Sequence, residues 1–236
     1  MVGRQTFANG LARDFVYNLA SRTTTLTEAP YQDDGTSVRV GPPERTSTYR
    51  WNESGNLVEK ADALGNVWTY EYDANNRVTK TTDPRGATVE KTFDARGNML
   101  TRKNEKGHTW IYEYHPTFDR VTRITGPGPF HLVEEFTYDG TTGALLSRKD
   151  PLLRTTTYEY GPDGLLKKVT PPGSNPNLLE FTYDGLGHLT EVRNGLGQVR
   201  TFGYDAVGNQ VQATDPLGHR VTREHDRLNR VVRVRS

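Results

Sequence analysis

The 236-residue sequence contains no cysteine. Disulfides are therefore excluded, and a Cys-ligated zinc or haem is not expected. Charge of one sign is also missing: 30 Lys and Arg are interspersed with 29 Asp and Glu, leaving a net charge of +1. A nucleic-acid binder normally shows a basic stripe, and a membrane-surface protein a polybasic cluster; neither is present. No window approaches about 18 consecutive apolar residues, so no membrane-spanning helix is expected. The opening MVGRQTFANGLARDF lacks the apolar stretch of a signal peptide, so this chain is expected to carry no export signal of its own.

Apolar residues are scarce as well. They make up 33% of the chain even with tyrosine counted, and the mean hydropathy is −0.76. Disorder usually pairs such polarity with few aromatics and a high net charge. Here aromatics reach 10% and the net charge is near zero, so the composition points to a folded chain with much surface and little core.

What the sequence has is a repeat. WNESGNL, YDANNRV, FDARGNM, YHPTFDRV, YDGTTGAL, YGPDGLL, YDGLGHL, YDAVGNQ and HDRLNRV begin at Trp51, Tyr72, Phe93, Tyr114, Tyr138, Tyr160, Tyr183, Tyr204 and His225, at intervals of 21, 21, 21, 24, 22, 23, 21 and 21 residues. A second signature follows most of these anchors at Asp62, Asp83, Asn104, Asp150, Asn194 and Asp215. Each unit thus holds two turns and two runs.

The runs alternate with period two. In VWTYEY, Trp68, Tyr70 and Tyr72 share one face, and TWIYEY repeats this with Trp110, Tyr112 and Tyr114. Alternating aromatic and β-branched residues form half-buried strands. In Asp-x-x-Gly the Asp side chain caps its own turn, and the fourth residue takes positive φ. Asp73, Asp94, Gly97, Asp184, Gly187, Asp205, Gly208, Asp215, Pro216 and Gly218 are accordingly assigned to turn structure.

Residues 49–236 therefore read as 17 or 18 short antiparallel strands in one meander, with no helix. Residues 1–48 are less regular, with a degenerate unit anchored at Tyr17. Three segments interrupt the rhythm: Glu28–Arg45, Gly126–His131 and Pro171–Asn177. A four-stranded propeller blade would also be twice 21 residues long. Adjacent units match as well as alternate ones, which favours a continuous sheet.

The motifs Tyr72-Asp73-Ala-Asn-Asn-Arg, Phe93-Asp94-Ala-Arg-Gly97-Asn98, Tyr183-Asp184-Gly-Leu-Gly187-His188 and Tyr204-Asp205-Ala-Val-Gly208-Asn209 closely resemble those of the Rhs/YD-repeat family. The resemblance implies an all-β ribbon, curved or spiralling, that forms part of a hollow shell. Such shells surround the toxic parts of bacterial polymorphic toxins and insecticidal toxin complexes, and related repeats occur in teneurins. It also implies flanking repeats or an encapsulated toxin domain in a longer parent protein, and a secreted or cell-surface setting. In toxin-bearing relatives an Asp-Pro-x-Gly string lies in a self-cleaving core. Here Asp215-Pro216-Leu217-Gly218 falls at a regular turn position and reads as a turn.

A catalytic acid pair needs two carboxylates in unlike environments. Aspartates repeated in nearly every unit are the opposite case. No HExxH, G-x-S-x-G, P-loop or G-x-G-x-x-G pattern is present. Asp33-Asp34-Gly35 reads as a solvated turn rather than a cation site. No enzyme activity, metal or cofactor is expected. The expected function is a structural module of an encapsulating or display shell. The alternative is a carbohydrate- or peptide-binding surface, with Trp68, Tyr70, Trp110 and Tyr112 as candidate contacts and a glycan as candidate partner. Unpaired edge strands predict self-association, end to end or as a dimer.

Overall fold

The computed structural model describes residues 2–7, 11–30, 45–173 and 178–236, with side chains over 13–28, 45–173 and 178–236. The fold is all-β, an antiparallel hairpin array, as the periodicity predicts. No helix occurs among the described residues. The chain divides into two compact units, Met1–Tyr112 with Gly126–His131, and Glu113–Thr125 with Leu132–Ser236.

The first unit contains β1 (Val2–Phe7), β2 (Leu11–Asn18), β3 (Thr23–Pro30), β4 (Arg45–Trp51), β5 (Leu57–Ala61), β6 (Val67–Tyr72), β7 (Val78–Thr82), β8 (Thr88–Phe93), β9 (Met99–Lys103) and most of β10 (Thr109–Tyr114). The second contains β11 (Val121–Thr125), β12 (Val133–Tyr138), β13 (Leu145–Lys149), β14 (Thr155–Tyr160), β15 (Leu166–Thr170), β16 (Leu179–Tyr183), β17 (Leu189–Asn194), β18 (Val199–Tyr204), β19 (Gln210–Thr214), β20 (Arg220–His225) and β21 (Val231–Arg235). Within each unit, strands that follow one another in the chain pair antiparallel. The 18 strands from β4 onward agree with the count expected from the repeat.

The two hairpins of each repeat differ. In the second-turn hairpin β5–β6 the register is uniform, with Glu59, Lys60 and Ala61 facing Thr69, Trp68 and Val67. In the anchor hairpin β6–β7 it slips: Glu71 faces Lys80 but Tyr72 faces Val78, which leaves Thr79 as a bulge. The same slip recurs at Trp51, Phe93, Tyr138, Tyr160, Tyr183, Tyr204 and His225. One extra residue in one strand bends the ladder locally and increases its twist. Both turns share a backbone pattern. In the first, the Asp73 amide donates to the Arg77 carbonyl at 3.0 Å and the Asn76 amide to the Asp73 carbonyl at 3.1 Å.

The segment around Tyr17 is a long hairpin. β2 and β3 pair over eight residues without a slip, and Asn18 caps the connecting turn by accepting from the Ala20 and Ser21 amides. Glu28 and Arg45, expected as the ends of an inserted loop, are instead cross-strand partners of β3 and β4. The intervening Asp33-Asp34-Gly35 lies outside the described residues, as do residues 174–177 of the third interruption. Part of the interval irregularity comes from the turns themselves. His115–Arg120 and Asp139–Ala144 each span one residue more than the common turn.

Among the described residues no side chain is fully buried. The sheet has one apolar and one polar face, so each strand half-buries a single row, which accounts for the low apolar content.

Candidate functional surfaces

The apolar face is built from three rows, at the anchor and at two and four residues before it. In the first unit it carries Trp68, Tyr70 and Tyr72 from β6, then Trp110 and Tyr112 from β10, all half-buried. A cation lies over each indole. Lys60, the cross-strand partner of Trp68, sits 5.3 Å from its ring centre, and Arg102, the partner of Trp110, sits 5.7 Å from its own. Aromatic and cationic neighbours across strands each contribute about 0.5–1 kcal/mol.

The anchor tyrosines have a further role that side-chain alternation alone did not show. The Tyr72 hydroxyl donates to the Leu57 carbonyl at 2.7 Å, at the bulge of the preceding repeat. Tyr138 donates likewise to Val121, Tyr183 to Leu166 and Tyr204 to Leu189, at 2.7, 2.9 and 2.9 Å. Burial pushes the phenols of Tyr72, Tyr138 and Tyr183 above their ordinary range. Each hydroxyl therefore ties one repeat to its predecessor. Phe93 cannot do this. Arg77 serves there instead, stacked 4.7 Å from the Phe93 ring and donating to the Asp94 carbonyl at 3.0 Å. The recurrence of Tyr rather than Phe at the anchor is the sequence signal that could have revealed the tie.

The opposite face is polar, and its main cross-strand position carries a matched pair in most repeats, the exceptions being Thr182 opposite Glu191 and Gly203 opposite Gln212. Arg50 meets Glu59 at 2.7 Å, Lys80 meets Glu71 at 3.1 Å, and the Thr92 and Thr101 hydroxyls meet at 2.6 Å. In the second unit the series continues with Arg123–Glu113 at 3.8 Å, Thr137–Ser147 at 2.7 Å, Lys168–Glu159 at 3.7 Å and Arg233–Glu224 at 3.6 Å. Such exposed pairs contribute at most about 1 kcal/mol each, and they fix register more than stability.

Most of the turn aspartates use both carboxylate oxygens, whereas among the described residues Asp83 and Asp139 accept through Oδ1 alone. Oδ1 of Asp94 accepts from the Arg96 and Asn98 amides at 2.9 and 2.8 Å, and Oδ2 accepts from the Asn98 side chain at 3.0 Å. Asp73 is held by Arg77, Asp184 by His188, Asp205 by Asn209 and Asp215 by His219 in the same way. The residue four after the Asp thus locks the turn, which explains why Asn, Arg and His alternate there. The carboxyl of Asp73 is held below the ordinary range chiefly by the Arg77 amide, and that of Asp205 chiefly by the Asn209 side chain. Asp184 is lowered first by the His188 amide, and Asp215 first by the His219 side chain. At Asp94 desolvation pushes upward, but the hydrogen bonds from Asn98, Arg96 and Gly97 outweigh it. With three hydrogen bonds accepted, most of the acceptor capacity of the Asp94 carboxylate is spent on its own turn.

Backbone requirements complete the turn. Gly97, Gly187, Gly208 and Gly218 lie at φ of 99°, 84°, 87° and 88°, and Pro216 occupies the second position of its turn. Asn76 and Leu153 take the same slot at 60° and 62°. Among the described residues no group of three or more His, Asp or Glu side chains is arranged to hold a metal ion, and no helix is long and apolar enough to cross a membrane.

The RHS repeat family model matches residues 45–88, 183–220 and 204–236. Over 84 residues the chain is 32% identical to double-stranded DNA deaminase toxin A of Burkholderia cenocepacia (strain H111), covering 36% of this chain and 6% of that protein. A structure of the Photorhabdus luminescens Tc holotoxin pore is similar over 94% of this chain and 12% of its own, with a TM-score of 0.51 at 16% identity. A crystal structure of TcdB2-TccC3-TEV is similar over 93% and 12%, with a TM-score of 0.48, also at 16% identity. The chain therefore spans only a small fraction of the proteins it matches, and the structural likeness concerns the fold.

Proposed function

The chain belongs to the Rhs/YD-repeat family, and on that premise we propose that it is a non-enzymatic wall segment of a shell that encapsulates or displays a toxin or effector domain. The carrying observation is the tie between repeats, in which an anchor phenol donates to a backbone carbonyl of the repeat before it. It spends a recurring polar group on joining neighbours, which is what a wall needs and a catalytic site does not. The turn aspartates are consumed in the same way. The printed names of the relatives, a deaminase toxin and a toxin-complex pore, support the toxin setting of this reading.

Within this proposal residues 49–236 form the repeat array and 1–48 its irregular lead-in. Trp68, Tyr70, Trp110 and Tyr112 act by packing, supported by the cations over both indoles. Association of copies through unpaired strand edges belongs to the same reading, and light scattering at rising concentration reads it. Encapsulation is tested by limited proteolysis of the longer protein that contains this segment. A non-repeat domain beside the array should resist protease in the intact protein and become sensitive when Gly97 and Gly208 are both replaced by Val. A domain equally sensitive in both proteins refutes encapsulation.

A further inference from the structure

The apolar rows of the second unit are interrupted by three charged side chains, and two of them stand together. At four residues before the anchor the row reads Glu134, Thr156, Leu179, Arg200 and Val221. At two residues before it, the row reads Phe136, Tyr158, Phe181, Phe202 and Arg223. Glu134 is neutralised by Arg148 at 2.8 Å. The Arg200 side chain makes no hydrogen bond or ion pair among the described residues, and it is exposed. Arg223 forms no ion pair there, and one guanidinium nitrogen donates to the Gln210 amide oxygen at 2.7 Å, which fixes its direction.

Both arginines line clefts on this face. A cleft of about 250 Å³ and another of about 280 Å³ share Arg200 and Phe202, and the second also reaches Arg223. Their apolar floor is Val192, Phe202, Ala213 and Val221. The carboxylate lining the second cleft, Asp215, is already engaged. Its Oδ1 accepts from the Leu217 and His219 amides, and its Oδ2 is met by His219 Nδ1 at 2.8 Å. Neither guanidinium therefore meets a counter-charge among the described residues, and both remain open to an anionic partner.

We propose that these clefts form a docking site for an acidic peptide segment, with Arg200 and Arg223 pairing its carboxylates and Phe202 seating an apolar side chain between them. Guanidinium forks match carboxylates in two-point contact, and the apolar floor selects a peptide with an apolar residue among its acids. The rim also carries Asn194, Gln198, Gln210 and Thr214, so the two unpaired guanidinium groups, rather than any lack of polar groups, favour an acidic ligand.

The test is fluorescence anisotropy of the full chain with a labelled Glu-Glu-Leu-Phe-Glu-Glu peptide. The Gln-for-Glu version of the peptide and a uronic-acid oligosaccharide serve as rival ligands. The acidic peptide should bind roughly tenfold more tightly than the Gln version, with binding that weakens as salt rises. Arg200→Gln and Arg223→Gln should each weaken it roughly five- to tenfold, and Arg200→Lys by less. Arg85→Gln, at a turn of the first unit, should leave it unchanged. Equal binding of the Glu and Gln peptides, wild-type affinity in both Arg→Gln variants, or tighter binding of the oligosaccharide than of the peptide would each overturn the proposal. Because no shell need assemble, failure here leaves the wall reading standing.

Discussion

Replacing Tyr72 by Phe isolates the tie between repeats, because Tyr70 on the same strand and face supplies the control. The Tyr72 hydroxyl donates to the Leu57 carbonyl at 2.7 Å from a half-buried ring, whereas Tyr70 makes no hydrogen bond through its hydroxyl among the described residues. A hydrogen bond of this kind is worth a net ~0.5–1.5 kcal/mol, and water partly resatisfies a half-buried carbonyl, so Tyr72→Phe should cost about 1 kcal/mol. Tyr70→Phe should stay within about 0.5 kcal/mol of wild type. Repeat arrays open locally, so the suitable readout is amide hydrogen exchange over β5 and β6 rather than a global melt. Exchange there should rise about fivefold in Tyr72→Phe. Burial also raises the Tyr72 phenol above its ordinary value of 10.0. The protonated phenol is thus favoured in the fold, and the contribution is complete below the unfolded value and lost as pH rises through the higher folded one. Equal exchange in the two variants, or no change in Tyr72→Phe, would refute the tie.

Leu153 bears the positive φ that its turn demands, and its side chain is 73% exposed, so Leu153→Gly should stabilise the β13–β14 hairpin by about 0.5 kcal/mol once the entropy of glycine is set against the relieved strain. Gly218→Ala meets open space but a φ of 88°, and should cost about 1 kcal/mol; hydrogen exchange of β19 and β20 checks it. Asp62, Asp73, Asp139, Asp150, Asp205 and Asp226 are all held below the carboxylate range, so their stabilisation is present above the unfolded values near 4 and vanishes as pH falls through the lower folded ones. Asp205→Asn keeps the oxygen acceptor, as Asn104 and Asn194 do naturally, and should reduce acid sensitivity, read by circular dichroism from pH 7 downward. Glu71→Lys places two cations across β6–β7 in place of a 3.1 Å pair and should cost under about 1 kcal/mol, less at 1 M salt than at low salt, by thermal unfolding.

The strand count, the turn positions and the two-faced alternation were all legible in the sequence. Each depends on residues close in the chain: Asp94 binds amides two and four residues on, and Trp68 and Tyr70 share a face because side chains alternate. The four-residue lock was half visible in the column of Asn98, Asn209, His188 and His219, whose common property is a donor. The slip at each anchor was not, because nothing in YDANNRV states whether Val78 or Thr79 faces Tyr72. Glu28 and Arg45 misled for a related reason: proline and glycine between them suggested a loop that starts earlier than the strand pairing allows.

The sequence by itself determined a 21-residue hairpin period and the assignment of its aspartates to turns, because turn chemistry and alternation act over at most five neighbouring residues. Only the tertiary structure decided which residues meet across strands: Tyr72 with Leu57, Lys60 over Trp68, and Arg200 with Arg223 at a shared cleft. Those partners lie on different strands, and a one-residue slip at each bulge sets which side chains come level. Register is a property of the assembled sheet, and local propensity does not encode it.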